Sequence, residues 1–447
     1  MPDGFIEQQP VEAAWAIQPC FSKGSCAMAK AIKDWICSHL NFSERVASVA
    51  QWYLLSLMLP SARHSQTNAA TLSGLDKSQF SRFLKNHSAL AIVKHQELVT
   101  KTLRRIAKQF QKDPSLVSGT PWKIFLIVDS TLHRRTSRHI QNSQKFNHGD
   151  GWVTGHQWTN TVIVIGNRVI PLPPIAFHTE EDCKRLGISY ETEHDKLVTF
   201  FGALNLTQYL GSFDPRELVV LLDSGYDSKK IQAAILKRGW DFVCALKSNR
   251  SVRSTKEFKK KSEGWGSITA TFKRVKKQAP WKTVYDHTKI AGSKNKRMEF
   301  RARLWLGHLR GIFKPIALVC SEKTNGERRY LACSNLSVSL GAIIRTYRRR
   351  WIVELFHKDI KFYLGMQHAG VRDFDSIIAH VHWVYIAYLL LKEKVPDSEV
   401  GIQSLQLLLK NEIEINRLNE WIQVSTQFNG DSALREVFIE ERSKFAA

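Results

Sequence analysis

The chain has 447 residues, 43% of them hydrophobic, and a formal charge of +24. That is an ordinary globular composition with room for roughly two to four domains. The basic excess points to a polyanionic partner, most simply nucleic acid, and sets a membrane surface aside because no basic amphipathic anchor stands out.

The start, MPDGFIEQQPVEAAW, lacks the basic-then-apolar layout of a secretion signal. Seven scattered cysteines, none in a CxxC pair, argue for reduced thiols and a cytoplasmic setting. Residues 1–118 read as a helical N-terminal DNA-binding region, with helices predicted over Ala31 to Leu40, Glu44 to Leu59 and Leu90 to Phe110. Between them, NAATLSGLDKSQFSRFLKNH has the small, turn and apolar spacing of a helix-turn-helix. Its second helix, Lys77 to Lys85, presents Lys77, Gln79 and Arg82 together with Ser78, Ser81 and Lys85. A surface helix hairpin in a helical bundle is the alternative reading; the basic surroundings favour DNA contact.

Residues 119–250 read as a mixed α/β sheet flanked by helices. Lys123 to Val128 is a buried strand ending in Asp129, and a basic loop with Arg134, Arg135 and Arg138 follows. Strands over Gln157 to Gly166 and Arg168 to Phe177 are joined by the hairpin pair Gly166-Asn167. A helix over Glu191 to Ala203 precedes a second buried strand, Glu217 to Leu222, which also ends in an acid, Asp223. A helix over Lys229 to Arg238 and a strand over Asp241 to Leu246 complete this part.

Residues 251–336 alternate like β structure and read as a β-rich insertion with basic loops (KEFKKK, KRVKKQ, GSKNKR). Its strands are expected at Ser267 to Val275, Trp281 to Lys289, Met298 to Leu306, Ile316 to Glu322 and Arg329 to Cys333. Residues 337–395 return to the core, and residues 396–447 form a helical C-terminal region with short helices at Gln403 to Leu409 and Ile413 to Ile422. The most apolar stretch, Ile377 to Leu391, reads as a buried core helix too short to span a bilayer.

The return begins with YRRRWIVELFHKDIK, in which Tyr347, Arg350, Glu354 and Lys361 stand at relative positions 0, 3, 7 and 14. On one helix they fall at about 0°, −60°, −20° and −40°, a single narrow stripe that Lys358 joins at about +20°. Ile352, Leu355, Phe356, Ile360 and Tyr363 form the apolar face opposite. One carboxylate in a row of cations is a distinctive arrangement. An acid after a strand often only makes a turn, and Glu354 alone could merely pair with Lys358. Together, Asp129, Asp223 and Glu354 supply three hard oxygen donors suited to two Mg²⁺ or Mn²⁺ ions, the equipment of phosphoryl transfer.

Y-x₂-R-x₃-E-x₆-K, here Tyr347, Arg350, Glu354 and Lys361, resembles the signature of the insertion-sequence-4-like DDE transposases, a group of bacterial cut-and-paste enzymes. Val128-Asp129-Ser130-Thr131 and Asp223-Ser224-Gly225-Tyr226 resemble the group's two aspartate motifs, and the β-rich insertion is a further likeness. The resemblance spans about residues 120 to 395. It implies a ribonuclease H-like catalytic core with Asp129, Asp223 and Glu354 as catalytic metal ligands. It also implies that Tyr347, Arg350 and Lys361 grip phosphates beside the cleaved bond, with Lys358 as a further contact. The implied activity is metal-dependent cleavage at element ends followed by transfer of the 3′-hydroxyl into target DNA. The implied protein is a homodimer on DNA in a bacterial cytoplasm. A nuclease without strand transfer, or a DNA-binding protein that lost the chemistry, are the alternatives. Members that pass through a DNA hairpin hold a flipped base on an aromatic residue in the insertion, often Trp; here Tyr330 stands where Trp is expected, either to stack a base or as a core residue.

Overall fold

The computed structural model describes residues 34–110, 112, 114–135, 139–147, 151–255, 264–286, 298–323, 326–394 and 400–427. The basic runs KEFKKK and GSKNKR, Arg138, and the first residues of the helix expected from Ala31 lie outside them.

Five helices come first: α1 (residues 34–39), α2 (Glu44–Met58), α3 (Gln66–Ser73), α4 (Lys77–Asn86) and α5 (Ser88–Phe110). Gly74 ends α3 in the left-handed region (φ 69°), which a glycine adopts without a Cβ penalty. Two residues later the Asp76 carboxylate accepts from the Ser78 N–H and starts α4. Two helices joined by a three-residue turn thus stand in this stretch.

The sheet opens with β1 (Ile124–Arg134), β2 (Gln144–Asn147), β3 (Trp152–Ile165), β4 (Arg168–Pro171) and β5 (Ile175–Ala176). Then come α6 (Glu180–Leu186), α7 (Glu193–Ala203), α8 (Thr207–Leu210), β6 (Leu218–Leu222), α9 (Lys229–Lys237) and β7 (Asp241–Leu246). β4, β3 and β1 are antiparallel neighbours, and β1, β6 and β7 run parallel. β1 is longer than its apolar run suggests. Its parallel pairing with β6 stops at Val128–Leu222, but its ladder with β3 continues to Arg134. Asp129 therefore follows the last pair of the parallel ladder yet lies inside a strand. The expected basic loop loses two members: Arg134 ends β1, and Arg135 is buried with its guanidinium on the carbonyls of Ala369 and Val371.

The insertion supplies β8 (Ser251–Ser254), β9 (Gly266–Ser267), α10 (Ile268–Arg274), β10 (Lys282–Asp286), β11 (Met298–Leu309), β12 (Ile316–Glu322) and β13 (Arg328–Cys333). These strands extend the same sheet: β13 pairs antiparallel with β7, and the order runs β2-β3-β1-β6-β7-β13-β12-β11-β8-β9. The strand expected over Ser267 to Val275 is instead mostly helix α10. Ser267 caps it by accepting from the Ala270 N–H, and Ile268, Thr271 and Phe272 have helical spacing on its buried side.

The chain ends with α11 (Leu340–Arg348), capped by Ser339, then α12 (Trp351–Lys358), a π-helical turn (Asp359–Tyr363), α13 (Phe374–Lys394) and α14 (Ile402–Gln427). The single helix expected over the Y-R-E-K stretch is thus three pieces. Arg349 and Arg350 bond three residues back, to Thr346 and Tyr347, which overwinds the helix; the π turn then underwinds it. The two opposite errors keep the stripe together. The two short C-terminal helices expected are one, α14. α13 is the element on which the halves meet, packed against α2, α4 and α5 on one side and against Phe356 of α12 through Tyr385 and Tyr388. Among the described residues it is also long and apolar enough to cross a membrane, but 89% of its apolar window is buried inside the protein.

Candidate active site

The site forms where the parallel ladder of β1 and β6 ends, the edge at which open α/β sheets place ligands. IFLIV and LVVLL are buried along their length, so the first polar residue after each pair is delivered to the same edge: Asp129 and Asp223. Asp223 accepts from the N–H groups of Gly225 (2.8 Å) and Tyr226 (3.3 Å), which holds its carboxylate over a short 3-10 turn. A Cβ at Gly225 would stand 3.0 Å from Asp223 Oδ1, so glycine permits this close approach.

α12 packs on β1 and adds Glu354. Arg350 joins the two acids: Nη1 donates to Asp129 Oδ2 at 2.9 Å and Nη2 to Glu354 Oε1 at 3.1 Å. Asp129 Oδ1 also accepts from the Ser130 N–H at 3.0 Å. Burial pushes the Asp129 carboxyl up to about 7; the Arg350 cation opposes this, and Asp223 and Glu354 add to it as like charges. A proton-hungry buried carboxylate beside two others is a site that favours a cation.

His357, one turn beyond Glu354, belongs to the same cluster. One ligand atom from each of Asp129, Glu354 and His357 lies within 4.8 Å of the others. Asp223 is adjacent along the sheet edge but is not a member of that group. The His357 Nε2 is 2.7 Å from the Asn160 Nδ2, and the Asn160 Oδ1 accepts from the Tyr385 hydroxyl. Burial, with smaller contributions from Lys361 and Arg350, pushes the His357 imidazole down to about 3 and keeps it neutral. Sequence reasoning missed His357, although the spacing Glu-x-x-His places both on one helical face. Asn160 and Tyr385 leave no such trace. Asn160 enters because the β1–β3 register sets it opposite Asp129.

Tyr347 is half-buried and hydrogen-bonded to Arg350. Lys361 is half-buried on the π turn; burial lowers its pKa while Glu354 and Asp129 pull the other way, so it shares their neighbourhood. Lys358 is exposed, and the ion pair that Glu354 makes is with Arg350. Lys77 and Arg82 are exposed on α4 with Ser78 and Lys85, and Gln79 is half-buried. Tyr330 does not fit the stacking role expected of it. It is 6% exposed and packs against Phe272 at 5.9 Å, because β13 is an interior strand of the extended sheet.

Residues 202–390, less than half of the chain, match the model of the Transposase DDE domain family. That segment holds Asp223 and Glu354 and begins beyond Asp129. No match was found among curated proteins. Among solved structures, a piggyBac transposase synaptic complex with hairpin DNA is similar at 10% identity and a TM-score of 0.43, over 92% of this chain and 81% of that one.

Proposed function

We propose that this protein is a DNA transposase that cleaves element ends and transfers the freed 3′-hydroxyl into target DNA. The observation that carries the reading is the meeting of Asp129 and Glu354, far apart in sequence, beside Asp223, with the last two inside the segment that matches a transposase domain. The order β4-β3-β1-β6-β7, three antiparallel strands continued by two parallel ones, supports a ribonuclease H-like core.

The donor set suits divalent cations. Asp129, Asp223 and Glu354 would hold two Mg²⁺ or Mn²⁺ ions, and bound ions supply the Lewis acidity and charge neutralisation of phosphoryl transfer. The chain's own residues do the positioning. Arg350 offers a planar two-donor fork that now spans two carboxylates and equally matches a phosphate. Lys361 adds a point charge, and Tyr347 steadies the Arg350 side chain and offers a phenol to the backbone. Exposed Lys77, Arg82 and Lys85 on α4, with Lys358 near the site, extend the basic surface for double-stranded DNA. Water attack on the element-end phosphodiester leaves a 3′-hydroxyl on one side and a 5′-phosphate on the other. Attack of that hydroxyl on a target phosphodiester then forms the new bond and expels a target 3′-hydroxyl. Two protomers acting on paired ends would serve both element termini.

The test is to incubate the full chain with candidate end DNA and Mg²⁺ and size the strands, with a 3′-hydroxyl end and target DNA in a joining arm. Cleavage and joining are expected, and Glu354→Gln should abolish both while DNA binding persists. Cleavage that survives Glu354→Gln would remove the assignment, and cleavage without joining would reduce the activity to a nuclease.

A further inference from the structure

We propose that His357 is a further protein ligand at the carboxylate site, binding a divalent cation through a ring nitrogen together with Asp129 and Glu354. The inference rests on the reading of that site as metal-dependent. Its first support is proximity, since one ligand atom from each of the three residues lies within 4.8 Å of the other two. Its second is delivery. Glu354 and His357 stand three residues apart on α12, so the helix that brings the carboxylate to the sheet edge brings the imidazole as well.

The third support is the way the ring is held. Metal-binding histidines are oriented by a partner on the other ring nitrogen. Here Asn160 occupies Nε2 and is itself held by Tyr385, and no hydrogen bond engages Nδ1 among the described residues. All three side chains are buried, with His357 7% exposed and Asn160 and Tyr385 fully enclosed. As it stands the Asn160 amide nitrogen donates to Nε2, which puts the ring proton on Nδ1, so metal binding at Nδ1 needs the relay reversed. Turning the Asn160 amide over makes its oxygen the acceptor for an Nε2–H and its nitrogen a donor to the phenol, which frees the lone pair of Nδ1. A histidine needed only for packing requires neither a reversible polar relay nor two carboxylates alongside.

A nitrogen donor changes which ion the site prefers. Mg²⁺ takes oxygen ligands and keeps its water, whereas Mn²⁺ accepts imidazole more readily. The site should therefore bind Mn²⁺ more tightly than Mg²⁺. The test uses the full chain and Mn²⁺ alone, read by electron spin-echo modulation with natural and ¹⁵N-labelled histidine. A directly bound imidazole nitrogen is expected in the wild-type spectrum. It should disappear in His357→Asn, with Mn²⁺ affinity falling about tenfold by calorimetry. The wild-type spectrum answers the question even if that variant folds poorly. Bound Mn²⁺ that is lost in Asp129→Asn but shows no nitrogen coupling would overturn the role of His357 and leave the carboxylate site standing. Mn²⁺ binding indifferent to both Asp129→Asn and Glu354→Gln would overturn the site itself.

Discussion

Arg350 carries most of the electrostatics at the residue scale. It is half-buried, its guanidinium reaches two acids at once, and it partly offsets the burial and, after it, the like-charge crowding that raise Asp129. Its own pKa is raised; burial is the largest influence and opposes this, but Asp129, Tyr347 and Glu354 outweigh it. Arg350→Ala leaves two carboxylates facing each other without a counter-charge. Its metal-free stability in urea should fall by about 2 kcal/mol, the scale of hydrogen bonds to charged groups. Saturating Mn²⁺ should restore most of that loss, because the ion supplies the missing positive charge. An unfolding curve unchanged by the substitution would mean that the bridge contributes nothing. A spacing of four offered Glu354 a partner on either side, and the one read from the sequence was Lys358; the structure gives it Arg350 instead. The pairing of Arg350 with Asp129 was not legible, because it joins residues on a strand and a helix far apart in the chain.

The helix-turn-helix and the broken signature helix show what an element adds. Phe80, Phe83 and Leu84 bury one face of α4, which leaves Lys77, Ser78, Arg82 and Lys85 outward. Replacing Lys77, Arg82 and Lys85 together by Ala should leave the fold intact, since none of the three is buried. If all three neutralise phosphates, the slope of log affinity against log salt should drop by about 3. A salt titration with unchanged slope and affinity would take α4 out of the DNA interface. The apolar spacing of this region announced the helices and Gly74 announced the turn, whereas the cap at Asp76 was not read. The overwound and π-helical turns around α12 were not legible, because a periodicity of 3.6 has no term for local changes of winding. Trp351, which at about +40° on an ideal helical wheel could face either way, is 52% exposed.

Across the whole molecule, buried histidines tie the N-terminal helices to the core. Tyr53 bonds His380, which bonds the Gly365 carbonyl; His95 of α5 lies 3.0 Å from His382 of α13. Burial pushes His380 and His382 down to about 3 and His156 to about 4. The sign follows directly. Below the ordinary histidine value near 6.5 the unfolded chain takes up protons that the folded chain refuses, so stability is intact above that pH and is lost on acidification. Three such groups give a slope of up to about 4 kcal/mol per pH unit between roughly pH 6 and 4. Urea unfolding at pH 7.5, 6.5 and 5.5 should show a steepening loss, whereas a flat profile would mean that these rings titrate normally.

The amino-acid sequence by itself determined what depends on neighbours in the chain. Two apolar runs each followed by an aspartate made the parallel pair whose ladder ends at the two acids, and Glu354 spaced among cations marked the helix that crosses it. Tertiary structure alone decided the rest. It merged the insertion into the main sheet and thereby buried Tyr330, and it set Asn160 against His357 through the register of β1 and β3. The reason is physical: periodicity reports the faces of one element, while a contact between distant residues depends on register, packing angle and winding, which no local pattern contains.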